Sequence, residues 1–139
     1  MERILLDTCA IIDLITDPAS LGEGGWDVIN DPDNRLYISA ETGRELIVHY
    51  NNKRLLSKYW KTAEEMLVSI EDDYRVTILP VTRDIDYTYA RLKLNVAQKH
   101  YDPSDHIIIS HAISEHLTLL SSDGKLSFYR AQGLDLIEY

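Results

Sequence analysis

The chain has 139 residues, a formal net charge of −9 and 45% hydrophobic residues. This composition is that of an ordinary globular protein, which excludes wholesale disorder, and the length suits one domain over residues 1–139. The single cysteine excludes an internal disulfide and a cysteine-rich zinc site. Because we find no signal-peptide pattern and no apolar run of membrane-spanning length, we expect a cytoplasmic protein that does not bind membranes.

Short apolar strands alternate with helical patterns along the chain. The predicted strands cover residues 5–6, 36–38, 75–79, 117–120 and 134–137. One predicted helix follows the first strand and ends near residue 15, and the others cover residues 20–30, 41–51, 59–74, 83–98, 104–117 and 126–131. Strands that alternate with helices form parallel sheets with both faces covered. The pattern therefore predicts an α/β fold with a mainly parallel sheet.

Four carboxylates occur where predicted strands are followed by helices. Asp7 follows the first strand, and Glu45 is on the helix after the second strand. Asp105 is on the first turn of the helix after Pro103, and Asp123 follows the strand that ends at residue 120. Open α/β sheets bind ligands at the carboxyl ends of their strands, so we expect these four side chains to lie close together.

Three of the acids also have a purely structural explanation. Asp7, Asp105 and Asp123 each lie at the predicted start of a helix, where carboxylates cap free N–H groups. Caps, however, occur at both edges of a fold, whereas these acids all belong to the same edge. Their combination favours a ligand site.

Four carboxylates in one place raise one another's pKa values unless cations neutralise them. Carboxylate oxygens select hard ions such as Mg²⁺ or Mn²⁺. Such an ion lowers the pKa of a bound water and stabilises charge on a phosphate, which suits phosphodiester hydrolysis. The acids therefore predict a metal-dependent hydrolase with water as the nucleophile.

The motifs around these acids resemble those of a known family. The matching segments are Leu-Leu-Asp-Thr at 5–8, Ser39-Ala40 with Glu45, Asp-Pro-Ser-Asp at 102–105 with residues 107–112, and Leu-Leu-Ser-Ser-Asp at 119–123. Together they resemble the PIN domain, and within it the VapC-type toxins of bacterial toxin–antitoxin pairs. The resemblance implies a Rossmann-like, three-layer α/β/α sandwich and a Mg²⁺- or Mn²⁺-dependent endoribonuclease that cuts RNA. It also implies a cognate antitoxin and a homodimer.

Position by position, the resemblance implies that the metal-binding acids are Asp7, Glu45, Asp105 and Asp123. It also implies that the hydroxyls of Thr8 and Ser121 orient a carboxylate or a water.

The sequence departs from the family pattern in three respects. Glu41 lies four residues before Glu45 and could take its role. His106 stands where many relatives carry arginine, which puts a phosphate clamp there in doubt. The net negative charge does not favour RNA binding, so the candidates for substrate contact are Lys53, Arg54, Lys58 and His106.

Two other functions fit parts of the pattern. One is a catalytically inactive PIN-like module that acts through a protein or RNA partner. The other is a receiver-type phosphoacceptor, which would require paired acids early in the chain, and Asp7 has no adjacent acid. Among the remaining polar side chains, we predict that Cys9 is small and buried. We predict that His111 and His116 are at the surface or partly buried.

Overall fold

Five parallel strands form the central sheet of the protein, whose computed structural model describes residues 1–139. The strands are β1 (Arg3–Leu6), β2 (Arg35–Ser39), β3 (Val76–Leu79), β4 (Thr118–Ser121) and β5 (Asp135–Glu138). They are arranged in the order β3-β2-β1-β4-β5, and every neighbouring pair is parallel. Since the chain moves outward in both directions from β1, the crevice expected of such a sheet lies beside β1 and β4.

Six α-helices cover the sheet: α1 (Thr8–Thr16), α2 (Gly22–Asn30), α3 (Ala40–Asn51), α4 (Ala63–Asp72), α5 (Arg83–Arg91) and α6 (Pro103–Glu115). Two 3₁₀ segments cover Pro18–Leu21 and Gly124–Gln132. None of the helices combines the length and the apolar character that crossing a lipid bilayer demands.

Apolar side chains form a separate core on each face of the sheet. Ile4 and Leu6 of β1 belong to the core under α1, α3 and α4, whereas Leu5 belongs to the core under α6. This alternation follows from the two-residue period of a strand, since successive side chains point to opposite faces. The predicted α/β sandwich with a parallel sheet is therefore confirmed.

Two helix boundaries differ from the sequence prediction by more than two residues. The helix expected over 59–74 begins only at Ala63, because Thr62 caps it by accepting a hydrogen bond from the Glu65 N–H at 3.1 Å. The helix expected over 83–98 ends at Arg91, so the prediction is wrong beyond that residue. Leu92 has an extended backbone (φ −66°, ψ 132°), and the chain then runs without helix up to the start of α6.

Candidate metal centre

The first acid is fixed between β1 and β4. Asp7 directly follows β1, and its N–H donates to the Leu120 carbonyl at 3.0 Å. Ser121, the last residue of β4, donates from Oγ to Asp7 Oδ2 at 2.6 Å. The same Oγ accepts the Asp123 N–H at 3.1 Å. Parallel pairing of the two strands thus brings residues 7 and 121–123 to one edge of the sheet.

The start of α3 brings the second acid to the same edge. Thr8 donates from Oγ1 to Glu45 Oε1 at 2.6 Å. Thr8 Oγ1 also lies 3.1 Å from Thr42 Oγ1. Glu41 instead forms an ion pair with Arg44, whose Nε lies 3.1 Å from Oε1 and 3.2 Å from Oε2 of Glu41. Of the two glutamates, only Glu45 shares a hydrogen bond with the residue next to Asp7.

The other two acids meet a histidine. Ligand atoms of His100, Asp105 and Asp123 all lie within 4.8 Å of one another. His100 Nε2 is 2.9 Å from Asp105 Oδ2, and the histidine is buried beneath the acid. Asp105 lies on the first turn of α6, after a proline at the first helical position. The structure thus brings the carboxylates of Asp105 and Asp123 together with His100. Asp7 lies outside this trio but is near enough for the charge of Asp105 to raise its pKa, and Thr8 bonds to both Asp7 and Glu45.

Burial and mutual repulsion make ionisation of this group costly. Burial raises the pKa of Asp7, and the nearby charge of Asp105 raises it too, although the hydrogen bond from Ser121 acts in the opposite direction. Burial also raises the pKa of Asp105, and so do the charges of Asp102 and Glu45, whereas the contact with His100 lowers it. Carboxylates placed so are stabilised by a cation that all of them can reach.

The carboxylate oxygens have capacity left for such a cation. Glu45, Asp105 and Asp123 each accept side-chain hydrogen bonds on one oxygen only, from Thr8, His100 and the Lys125 N–H respectively. The second oxygen of each accepts none from the protein. Oxygen donors of this kind match the ligand preference of Mg²⁺ and Mn²⁺. The donor set therefore fits a hard divalent ion.

Two of the acids also act as helix caps, as their structural explanation predicts. Asp7 Oδ1 accepts the Thr8 N–H at 2.6 Å, and Asp123 Oδ1 accepts the Lys125 N–H at 2.9 Å. The cap of α6 is Asp102, which accepts the Ser104 N–H, so Asp105 is free of that role. Capping and membership of the cluster are compatible, because a carboxylate has more than one acceptor position.

The predicted substrate contacts lie elsewhere. Lys53, Arg54 and Lys58 are exposed, follow the C-terminal end of α3, and form no hydrogen bond or ion pair with the acids. Glu45 lies six residues before Asn51, the last residue of α3, a rise of about 9 Å, and the three cations lie beyond that end. The structure therefore does not bring these cations to the carboxylates.

Two histidines lie deeper than the sequence suggested. His106 is 1% exposed, with Nε2 2.9 Å from the His100 carbonyl and Nδ1 3.4 Å from the Tyr89 hydroxyl, so no ring nitrogen is left for a substrate. The prediction that His111 is at the surface or partly buried is wrong: it is fully buried, with Nδ1 2.9 Å from Ser39 Oγ. His116 is exposed, and Cys9 is half-buried beside Asp7.

Sequence reasoning missed His100, together with the two residues that hold it, Asn95 and Tyr129. The helical pattern over 83–98 conceals the turn that buries Asn95, and the segment around His100 resembles a simple connection. Tyr129 is 29 residues further along the chain than His100 and lies in a 3₁₀ segment. The one sequence signal was a histidine two residues before the Asp102-Pro103 helix start.

Comparison with known proteins identifies the class of protein. The PIN domain model matches residues 4–134, so the chain belongs to the PIN domain family. Curated protein sequences provide no match.

Several solved structures share the fold. VapBC2 from Rickettsia felis, bound to a DNA fragment from its promoter, is 22% identical with a TM-score of 0.72, and the match covers 98% of each chain. FitAcB from Neisseria gonorrhoeae is 25% identical with a TM-score of 0.62, over 97% of this chain and 96% of that one. VapBC-5 from Mycobacterium tuberculosis, a member of a family of toxin–antitoxin systems, is 18% identical with a TM-score of 0.64 over the full length of both chains.

Proposed function

We propose that the protein is a Mg²⁺- or Mn²⁺-dependent endoribonuclease, and that it is the VapC-type toxin of a toxin–antitoxin pair. The observation that carries the proposal is that Asp105 and Asp123 have carboxylate oxygens within 4.8 Å of each other. Asp7 is near enough for the charge of Asp105 to raise its pKa, and Glu45 is linked to Asp7 through Thr8. Like charges are brought together here despite their cost, which is expected of a metal site and not of a set of caps.

The residues of this site have different roles. Glu45, Asp105 and Asp123 would hold the ion with their free oxygens, together with Asp7. Ser121 and Thr8 fix the orientation of Asp7 and Glu45 through the hydrogen bonds at 2.6 Å. When bound, the ion acts as a Lewis acid that makes a water molecule more acidic and offsets charge on the scissile phosphate. No serine or cysteine nucleophile is needed.

Family membership and the structural relatives support a proposal for the substrate and the partners. RNA is the proposed substrate, and an antitoxin is the proposed partner, in keeping with the toxin–antitoxin complexes that share the fold. We further propose a homodimer that acts in the cytoplasm. Because the net charge is −9, divalent ions rather than bulk attraction must offset the repulsion between the protein and the RNA backbone.

Cleavage of labelled RNA by the purified protein tests the proposal, with DNA of the same sequence as a comparison. We expect RNA cleavage with Mn²⁺ or Mg²⁺, and its loss with excess chelator. Asp7→Asn should lower the rate by about a hundredfold or more, since loss of a metal ligand weakens charge stabilisation by several kcal/mol. The matched control is Asp31→Asn, which changes an exposed acid with a similar turn hydrogen bond, from the Asp33 N–H at 2.9 Å.

Full activity of Asp7→Asn, or of the wild type in excess chelator, would contradict the proposal. Metal binding without cleavage of any RNA would instead favour the second candidate, an inactive PIN-like module that acts through a partner.

A further inference from the structure

A chain of buried hydrogen bonds lies beneath Asp105. The Asn95 N–H donates to the Tyr129 hydroxyl oxygen at 3.1 Å, and that oxygen lies 2.8 Å from His100 Nδ1. At its other end the histidine ring contacts Asp105 Oδ2 at 2.9 Å. Asn95, His100 and Tyr129 are exposed by 1%, 3% and 0% respectively, so water does not compete for the bonds among these three residues.

The chemistry of the two ends sets the direction of every proton in this chain. A backbone N–H can only donate, so the Tyr129 oxygen accepts from Asn95. A carboxylate only accepts hydrogen bonds, so His100 Nε2 carries a proton and donates a hydrogen bond to Asp105. The Tyr129 hydroxyl has no acceptor other than His100 Nδ1, so we infer that Nδ1 is bare and accepts a hydrogen bond from this hydroxyl. Each donor in the chain has an acceptor only in this arrangement.

We propose that His100 is a positioning residue, held by Tyr129 as the Nε2–H tautomer, which fixes Asp105 Oδ2 and leaves Oδ1 available to the metal. The role in metal binding rests on the proposed function, whereas the tautomer does not. Partners that orient the ligands of a metal typically contribute about 10- to 100-fold to metal affinity or activity.

The alternative is that His100 binds the ion directly. Its ring nitrogen is within 4.8 Å of a carboxylate oxygen of Asp123, so distance alone would permit ligation. A protonated nitrogen, however, has no lone pair to offer, and the donated bond to Asp105 already uses that proton. The two roles differ in whether nitrogen is bonded to the metal.

A neighbouring pair supplies a matched control. Tyr89 and His106 repeat the tyrosine–histidine contact, with the hydroxyl 3.4 Å from Nδ1, but the far nitrogen of His106 contacts the His100 carbonyl rather than an acid. Tyr89→Phe therefore removes the same hydroxyl from a histidine that forms no hydrogen bond with an acid of the site. Tyr129→Phe removes it from the histidine that does.

The experiment uses the intact protein and two measurements that need no RNA. NMR of the histidine ring nitrogens in metal-free protein reports the tautomer, and calorimetry with Mn²⁺ alone gives its Kd. We expect His100 to be the Nε2–H tautomer in the wild type, with a mixture of tautomers in Tyr129→Phe. The Mn²⁺ Kd should rise about tenfold in Tyr129→Phe and by about tenfold or more in His100→Ala. In Tyr89→Phe it should stay within about twofold of the wild type, since no metal ligand loses its partner.

A conservative variant separates positioning from structural support. The amide nitrogen of a glutamine can reach about where His100 Nε2 lies and donate to Asp105, so His100→Gln should restore the Mn²⁺ Kd to within about threefold of the wild type. If Tyr129→Phe fails to fold, the pair His100→Ala and His100→Gln still tests the proposal.

The inference fails if His100 is the Nδ1–H tautomer, if His100→Ala leaves the Mn²⁺ Kd unchanged, or if pulsed EPR detects nitrogen bonded to Mn²⁺. Each of these can occur while the wild type cleaves RNA, so the proposed function would survive. Conversely, absence of RNA cleavage by a protein that shows the expected tautomer and affinities would refute the nuclease and leave the positioning role intact.

Discussion

Replacing Asp123 by asparagine separates the two roles of this residue. Asparagine caps a helix start about as well as aspartate, so the hydrogen bond from the Lys125 N–H should persist in Asp123→Asn. The substitution removes only the negative charge that faces Asp105. We therefore expect a more stable protein without metal and a weaker response to metal.

The size of the effect follows from the distance between the charges. Carboxylate oxygens of Asp105 and Asp123 lie within 4.8 Å of each other. Two unit charges at that separation repel by roughly 3.5 kcal/mol at an effective dielectric constant of about 20, and by roughly 0.9 kcal/mol at about 80. Solvent reaches both side chains, so the repulsion lies in the lower half of this range. The substitution also removes the attraction between the Asp123 charge and the start of the helical segment it caps, which reduces the gain in stability by about 0.5 kcal/mol. A gain of about 1 kcal/mol remains, or roughly 3 °C in Tm.

Adding Mn²⁺ should reverse the order of stability. At a hundred times its Kd, the ion stabilises the wild type by about 2.7 kcal/mol. If loss of a ligand raises Kd about a hundredfold, the variant gains only about 0.4 kcal/mol. Thermal and denaturant unfolding with chelator and with Mn²⁺ measures both quantities, and Asp31→Asn should change neither. Lower stability of Asp123→Asn in chelator, or equal stabilisation by Mn²⁺, would refute the reasoning and favour a purely structural cap.

Two further substitutions test the surroundings of the site. Thr8→Val preserves the shape of the side chain but removes the hydroxyl that donates to Glu45. Denaturant unfolding should show a loss of about 1 kcal/mol in unfolding free energy, and calorimetry should show a Mn²⁺ Kd raised about tenfold. Burial lowers the pKa of His111 from 6.5, despite the opposing charge of Glu115, so the unfolded chain binds its proton more readily. Stability should therefore fall as pH drops below about 6.5, and denaturant unfolding at several pH values should show a weaker fall in His111→Gln.

An unchanged Mn²⁺ affinity in Thr8→Val would mean that Glu45 does not need this hydroxyl to reach the ion. The same slope of stability with pH in His111→Gln and the wild type would assign the acid sensitivity to other groups, such as His106, whose pKa burial also lowers.

The sheet and its acids could be predicted from the sequence because both depend on local pattern. Apolar runs that end at Asp7 and before Asp123 define strand ends, and parallel pairing brings those ends together whatever the loops do. The choice between Glu41 and Glu45 could not be made in advance. It depends on Arg44 and Thr8, and only the folded chain shows which glutamate each of them contacts.

Buried polar contacts between remote segments were beyond the reach of sequence periodicity. The residues after Arg91 continue a helical pattern, yet the backbone is extended at Leu92 and left-handed at Lys99 (φ 53°). The turn between them buries Asn95 and His100, because their hydrogen bonds to Tyr129 form only in three dimensions. His111 is buried for the same reason, since its partner Ser39 is 72 residues away.

The hydrogen bond between Ser121 and Asp7 joins residues that are 114 positions apart. A chain synthesised only as far as α6 would have β1 without β4, and hence Asp7 without the serine that orients it and without Asp123. Premature termination or a proteolytic cut ahead of β4 should thus abolish metal binding and activity at the site rather than leave a fragment with weakened activity. The proposed activity is in this way tied to completion of the fold.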